Sequence, residues 1–267
     1  MTPYRYSSFS PEIIVLKFGS SILESFSSFN QVAVEIKRFV AQGYRVVAIV
    51  SAIGNTTDAL EESQQKLNLH NTQLCAKARA LLLSTGELQS VAYLTQTLLA
   101  QEIPCHFITN PIYAEGDYIN ATPQELNHAA FEKAFKLDQV VVAPGFIAQN
   151  AEHEPCLLGR GGSDLSALFI AHELNAKHCI LLKDVDGVYN LDPNKHENAI
   201  RYDSLTYDCA KEKATQVIQP QAIAWAKSHC LSFQIGRLNG NHYTTIGALD
   251  TVESIRNTTD QKIEEVA

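Results

Sequence analysis

Ile13-Ile14-Val15-Leu16-Lys17-Phe18-Gly19-Ser20-Ser21 is an apolar, β-branched run that ends on a cation and a glycine turn. Its first four residues read as a buried strand. Beyond it, Val32, Ile36, Phe39 and Val40 recur at helical spacing, and residues 46–50 form a second apolar run. The segment therefore reads as strand, helix, strand, a unit that builds parallel sheet. Its first strand delivers Lys17 to the carboxyl end, where open α/β sheets bind their ligands. Alone, that pattern suits a surface lysine with a snorkelling stem as well as a phosphate contact.

Further strands are expected at residues 106–109, 139–143, 179–182 and 232–235. Helices are expected near 76–99, 123–135, 164–175 and 220–228. Strands separated by helices imply a mostly parallel sheet covered on both faces. No internal repeat, low-complexity linker or compositional shift interrupts the 267 residues. One domain is expected over residues 1–250, followed by a polar tail, 251–267, that forms a surface helix or frays.

Composition excludes several classes. Hydrophobic residues make up 45% and charged residues 19%, with both signs mixed, as in an ordinary globular protein. The longest apolar runs fall far short of the about 20 residues that cross a bilayer, so no membrane partner is expected. The first ten residues hold one Arg and no signal-like apolar stretch, which makes the cytoplasm the expected compartment. A formal charge of −8 without a basic cluster argues against a nucleic-acid partner, whose phosphates need a Lys/Arg stripe. Cys75, Cys105, Cys156, Cys179, Cys209 and Cys230 show neither a Cys-x-x-Cys pair nor zinc spacing. They read as reduced, mostly buried thiols, and no metal site is expected among them.

Three further stretches carry chemistry. Ser51-Ala52-Ile53-Gly54-Asn55-Thr56-Thr57-Asp58 follows the second strand; its hydroxyls suit a carboxylate or phosphate, or cap a helix. In Gly159-Arg160-Gly161-Gly162-Ser163-Asp164, glycines let backbone amides approach an anion that the arginine grips in bidentate fashion. Asp164 reads either as part of that cradle or as the cap of the following helix. Lys183-Asp184-Val185-Asp186-Gly187-Val188-Tyr189-Asn190-Leu191-Asp192-Pro193 places acids and an aromatic at a strand end, suited to a purine and ribose or to an ordinary polar turn. It lacks the ligand spacing and terminal Glu of a helix-loop-helix calcium loop.

Taken in order, these segments resemble the catalytic domain of aspartate kinase, in the amino acid kinase superfamily. Its members show K-F-G-G-[ST]-S, S-A-x-G-x-T-T-D, S-x-G-E, P-G-F-I, G-R-G-G-S-D and D-V-D-G-V-Y-x-x-D-P. The counterparts here begin at Lys17, Ser51, Ser84 (Ser84-Thr85-Gly86-Glu87), Pro144 (Pro144-Gly145-Phe146-Ile147), Gly159 and Asp184. The resemblance implies a single three-layer α/β/α sandwich around a mainly parallel sheet. It implies ATP-dependent phosphorylation of the side-chain carboxylate of L-aspartate, giving an acyl phosphate and ADP. Lys17 and Asp164 would be catalytic, Asp164 orienting the lysine or the substrate ammonium. Glu87 would bind the substrate amino group, Arg160 its α-carboxylate, and Ser51 and Thr57 would contact the reacting groups. Gly19, Ser20, Lys183, Asp184, Tyr189 and Gln216 would form the nucleotide site. Mg2+ would enter on ATP; kinase domains of this family commonly associate, so a homodimer is compatible with the resemblance, although the sequence itself does not give the oligomeric state.

This chain also departs from the pattern. Ser20 replaces a glycine, Lys183 a threonine and Asn194 an arginine, while Gln216 stands where an ATP-contacting lysine is expected; Lys183 or Lys213 could supply that charge. The chain ends after the kinase region, whereas typical aspartate kinases continue into ACT domains, so activity is expected to be insensitive to millimolar lysine. Two other readings remain: an enzyme of this fold acting on another small acidic acceptor, and a catalytically weak protein that binds a nucleotide or amino acid.

Overall fold

Every residue of Ile13–Phe18 after the first is buried, because this strand (β1) has parallel neighbours on both sides and helices above and below. The computed structural model describes residues 11–67, 72–193 and 195–254. In chain order β1 is followed by α1 (Ser28–Ala41), β2 (Arg45–Val50), α2 (Thr56–Gln65), α3 (Thr72–Ala100), β3 (Cys105–Phe107), β4 (Ile112–Glu115) and β5 (Thr122–Leu126). Next come α4 (His128–Leu137), β6 (Val140–Pro144), β7 (Ile147–Gln149), β8 (Pro155–Leu157), α5 (Gly162–Glu173) and β9 (His178–Leu182). The last elements are β10 (Tyr202–Thr206), α6 (Tyr207–Lys213), α7 (Pro220–Ser228), β11 (Phe233–Gly236), β12 (Tyr243–Gly247) and β13 (Val252–Glu253).

The large sheet runs β13-β10-β12-β11-β9-β1-β2-β6-β3. Its pairings are parallel except β11 with β12 and β10 with β13. Side chains of β1 alternate between faces, as strand geometry requires. Ile14, Leu16 and Phe18 pack with α1 and α3 residues such as Val32, Ile36 and Leu94. Val15 packs on the other side with α4, α5 and α7 residues such as Phe131, Leu165 and Ile223. The result is the expected three-layer α/β/α sandwich. Among the described residues no helix is long and apolar enough to cross a membrane.

One expected helix is in part a strand. Residues 123–135 split into β5 and α4, because Asn127 accepts a hydrogen bond from the Ala130 N–H at 3.2 Å and starts the helix there. Pro123 then lies in β5, an edge of a small second sheet ordered β5-β4-β7-β8, where a missing N–H is tolerated. Val252 and Glu253, in the polar tail, pair with β10; the tail beyond residue 254 lies outside the described residues. Cys105, Cys156 and Cys179 are buried, Cys209 is half-buried and Cys230 exposed, all free thiols.

Candidate active site

Strand register assembles the site. Lys17 stands opposite Leu181 in the parallel β1/β9 pair. Leu181 belongs to the core on the α5 side, and Lys183, two residues further on, falls on that same face. Helix α5 packs across β1 and β9, with Asp164 in its first turn. Lys17 Nζ lies 2.8 Å from Asp164 Oδ1, and Lys183 Nζ 3.0 Å from Oδ2. Lys17 and Asp164 are each only 5% exposed, so the snorkelling alternative for Lys17 fails. Asp164 is not the helix cap either. That position is Gly161, at φ 76°, a left-handed backbone suited to glycine.

Burial would raise the Asp164 carboxyl, but the two lysines outweigh it and hold the group below the usual carboxylate range. The positive end of the α5 dipole favours the same ionised form. Burial, with help from the neighbouring Lys183 charge and against the pull of Asp164, brings Lys17 down to about 8. Two cations therefore share one carboxylate away from water. Burying ions costs several kcal/mol each, so this surplus of positive charge weakens the bare fold and suits an incoming anion.

On one side of Asp164 opens a cleft of about 570 Å³ lined by Lys17, Ser20, Ser51, Thr57, Glu87, Arg160 and Asp164. Glu87 is 3% exposed. Its Oε1 accepts the Ala52 N–H at 3.3 Å, while Oε2 has no hydrogen-bond partner among the described residues. Burial pushes its carboxyl up to about 7. A buried acid with an unpaired oxygen is a ready acceptor for an ammonium group. Arg160 is exposed at the rim, free to meet a carboxylate.

A second cleft of about 780 Å³ is lined by Lys183, Asp184, Tyr189, Lys213 and Gln216, among others. The Tyr189 hydroxyl donates to Asp186 at 2.6 Å; burial and this bond push it up to about 12. Gly19 is buried beside the Lys17 ammonium. Ser20, assigned from sequence to the nucleotide, faces the first cleft, whereas Ser21 faces the second. The glycine turn thus straddles the two. Asp164 is where they meet: it lines the first cleft and is bonded to Lys183 of the second.

Phe146, from the Pro144–Ile147 element, lines the first cleft, and so do Arg79 and Asn120, which sequence reasoning missed. Arg79 of α3 pairs with Glu61 of α2 at 2.5 Å. Nothing in their local pattern announced them, since the small sheet and the α2–α3 packing carry them there. Among the described residues no three His, Cys, Asp or Glu side chains converge to hold a metal ion.

These features define an α/β protein with two clefts at the carboxyl edge of its sheet and a charged Lys17–Asp164–Lys183 cluster between them. Residues 12–236 match the amino acid kinase family, and the chain belongs to that family. It is similar to an aspartokinase of Thermus thermophilus, 34% identical over 81% of this chain and 54% of that protein. It also resembles one from Geobacillus stearothermophilus, 30% identical over 84% of this chain and 56% of that one. The chain spans about half the length of these curated relatives. Among solved structures it resembles the aspartate kinase of Synechocystis, with TM-score 0.74 and 29% identity over 89% of this chain and 40% of that one.

Proposed function

We propose that this protein is an aspartate kinase: it transfers the γ-phosphoryl group of ATP to the side-chain carboxylate of L-aspartate. The observation that carries the reading is the buried Lys17–Asp164–Lys183 cluster where the two clefts meet. The names of its relatives from Thermus and Geobacillus support the same activity.

The acceptor carboxylate is the nucleophile and is already ionised at neutral pH, with an ordinary value of about 3.9. No protein base is required. What the chain must supply is alignment and neutralisation of the charge that develops on the phosphoryl oxygens. In this reading Asp164 holds Lys17 toward those oxygens. Glu87 takes the acceptor ammonium and Arg160 forks onto its α-carboxylate, for which a guanidinium is better shaped than an ammonium. Ser51 and Thr57 sit along the same cleft for the reacting carboxylate. Asp184, Tyr189 and Gln216 face the nucleotide, with Ser21 on the same side, while Gly19 lies at the turn between the clefts and Ser20 on the acceptor side. Mg2+ arrives on the triphosphate, held mainly by phosphate and water as this ion prefers. The cytoplasm, where ATP and thiols in their reduced state are found, is the compartment proposed.

A hydroxylamine trap tests the reading. With ATP, Mg2+ and L-aspartate, the hydroxamate of the acyl phosphate should accumulate. Product formed only with a different acid would move the assignment to that acceptor, and ATP binding without any product would leave a binding protein.

A further inference from the structure

We propose that Lys183 is a catalytic residue, a second cation that grips the γ-phosphoryl group from the nucleotide side while Lys17 grips it from the acceptor side; this rests on the kinase reading above.

The placement is specific. Lys17 lines the acceptor cleft and Lys183 the nucleotide cleft, yet both ammonium groups reach the same carboxylate, at 2.8 and 3.0 Å. Their shared face follows from the β1/β9 register and strand alternation. A group handed from one cleft to the other would meet both ammonium groups. The Lys183 side chain is 11% exposed, so its charge acts in a poorly screened setting. The remaining candidates on that side do not fill the role. Gln216 is neutral, and Lys213 Nζ is engaged 5.4 Å over the Tyr202 ring.

A purely structural role is disfavoured by charge balance. Asp164 already has Lys17 as a counter-ion, so Lys183 adds a second buried cation rather than completing a pair. In the transfer step, an oxygen of the acceptor carboxylate forms a bond to the γ-phosphorus. The bond from that phosphorus to the β,γ-bridging oxygen breaks, and its electron pair stays on ADP. No proton moves. Negative charge shifts toward the leaving ADP, on the side that Lys183 faces, and the two lysines bracket the phosphoryl oxygens throughout.

The test compares wild type, Lys183→Thr and Lys183→Thr/Gln216→Lys by hydroxamate production, thermal unfolding and calorimetric titration with ATP and AMP. Removing one electrostatic stabiliser of this kind costs about 100-fold in kcat. Lys183→Thr is expected to lose about that much, with little change in the KM for aspartate and an unchanged or higher Tm. The added Gln216→Lys, which returns a cation to the same cleft, is expected to recover about tenfold or more. Lys183→Thr within about threefold of wild type in kcat overturns the proposal and leaves the kinase reading intact. A fall in Tm that tracks the loss of activity, with no recovery in the double variant, overturns it in favour of a structural role. If wild type gives no product with any acceptor, the kinase reading fails, and titration decides the lysine separately. A tenfold or greater loss of ATP affinity with AMP unchanged keeps Lys183 as a phosphate grip, and equal affinities remove it.

Discussion

Lys17, near the end of the first strand, and Asp164, in the first turn of a helix from the second half of the chain, form an ion pair of 2.8 Å with about a twentieth of each residue exposed. Asp164→Asn keeps the shape and removes the charge, which leaves two buried ammonium groups uncompensated. Breaking a buried pair costs about 3–5 kcal/mol, or roughly 10 °C in Tm for a domain of this size. The loss should shrink as pH rises, because without the aspartate, whose charge raises it, Lys17 sheds its proton more readily. Activity should fall about 1,000-fold as Lys17 loses its orientation. Thermal unfolding at pH 7 and 9.5, beside the hydroxamate assay, checks both. A variant as stable as wild type at pH 7 would contradict this account.

The rate should trace a narrow bell in pH. In the proposed reaction Glu87, pushed up by burial to about 7, must be ionised to receive the acceptor ammonium, so kcat/KM for aspartate should fall as pH drops below that value. In the same proposal Lys17, brought down mainly by burial to about 8, must keep its proton to stabilise the phosphoryl group, so the rate should fall as pH rises beyond it. Since kcat/KM reports the free enzyme, these two values should appear as its limbs. Glu87→Gln should lower kcat/KM and abolish the acid limb while the alkaline limb survives. A profile flat from pH 6 to 9 would refute the assignment.

Gly145, between β6 and β7, is there for space. A β-carbon on it would stand 2.7 Å from Ser163 Cβ and 2.9 Å from Ser163 Cα, and the second atom is backbone that cannot swing aside. Overpacking of this kind costs about 1–3 kcal/mol. The displaced segment is the first turn of α5, one residue from Asp164. Gly145→Ala should therefore lose about tenfold in kcat along with a few degrees of Tm, although the residue touches neither substrate. Wild-type kcat in a destabilised variant would show that the turn and the site are uncoupled.

How legible all this was in the sequence varies with the range of the cause. β1, β2 and β6 were readable because a strand buried on both faces must be apolar along its length, whatever its neighbours. The small sheet was not, because β5 is a polar edge strand whose Pro123 imitates a helix start until Asn127 provides the real one. In the site, Lys17 and Arg160 stood out from strand ends and glycine spacing. Lys183 was visible as a departure in charge, but its position beside Asp164 depends on the β1/β9 register, which no local pattern reveals. Arg79 and Asn120 reach the acceptor cleft only through packing between distant segments, so sequence gave no signal for them.

The acceptor cleft also makes a claim about selectivity. Among the described residues Glu87 offers an unpaired carboxylate oxygen inside the protein, and Arg160 stands at the rim of the same cleft. In the proposed reaction they ask together for an ammonium and a carboxylate on one small molecule, next to the carboxylate that reacts. Succinate keeps both carboxylates of aspartate and lacks the ammonium, so it leaves Glu87 unpaired. A site built to pair a polar group rejects the analogue lacking it strongly, by about 10⁴ or more in the best cases. Against succinate, wild type should prefer aspartate by at least about 100-fold in kcat/KM, and Glu87→Ala should compress that preference to about tenfold or less. Arg160→Lys should act differently, raising KM for aspartate about tenfold with little change in kcat, because an ammonium loses the two-pronged geometry but keeps the charge. Succinate turned over as readily as aspartate by wild type would remove Glu87 from the acceptor site.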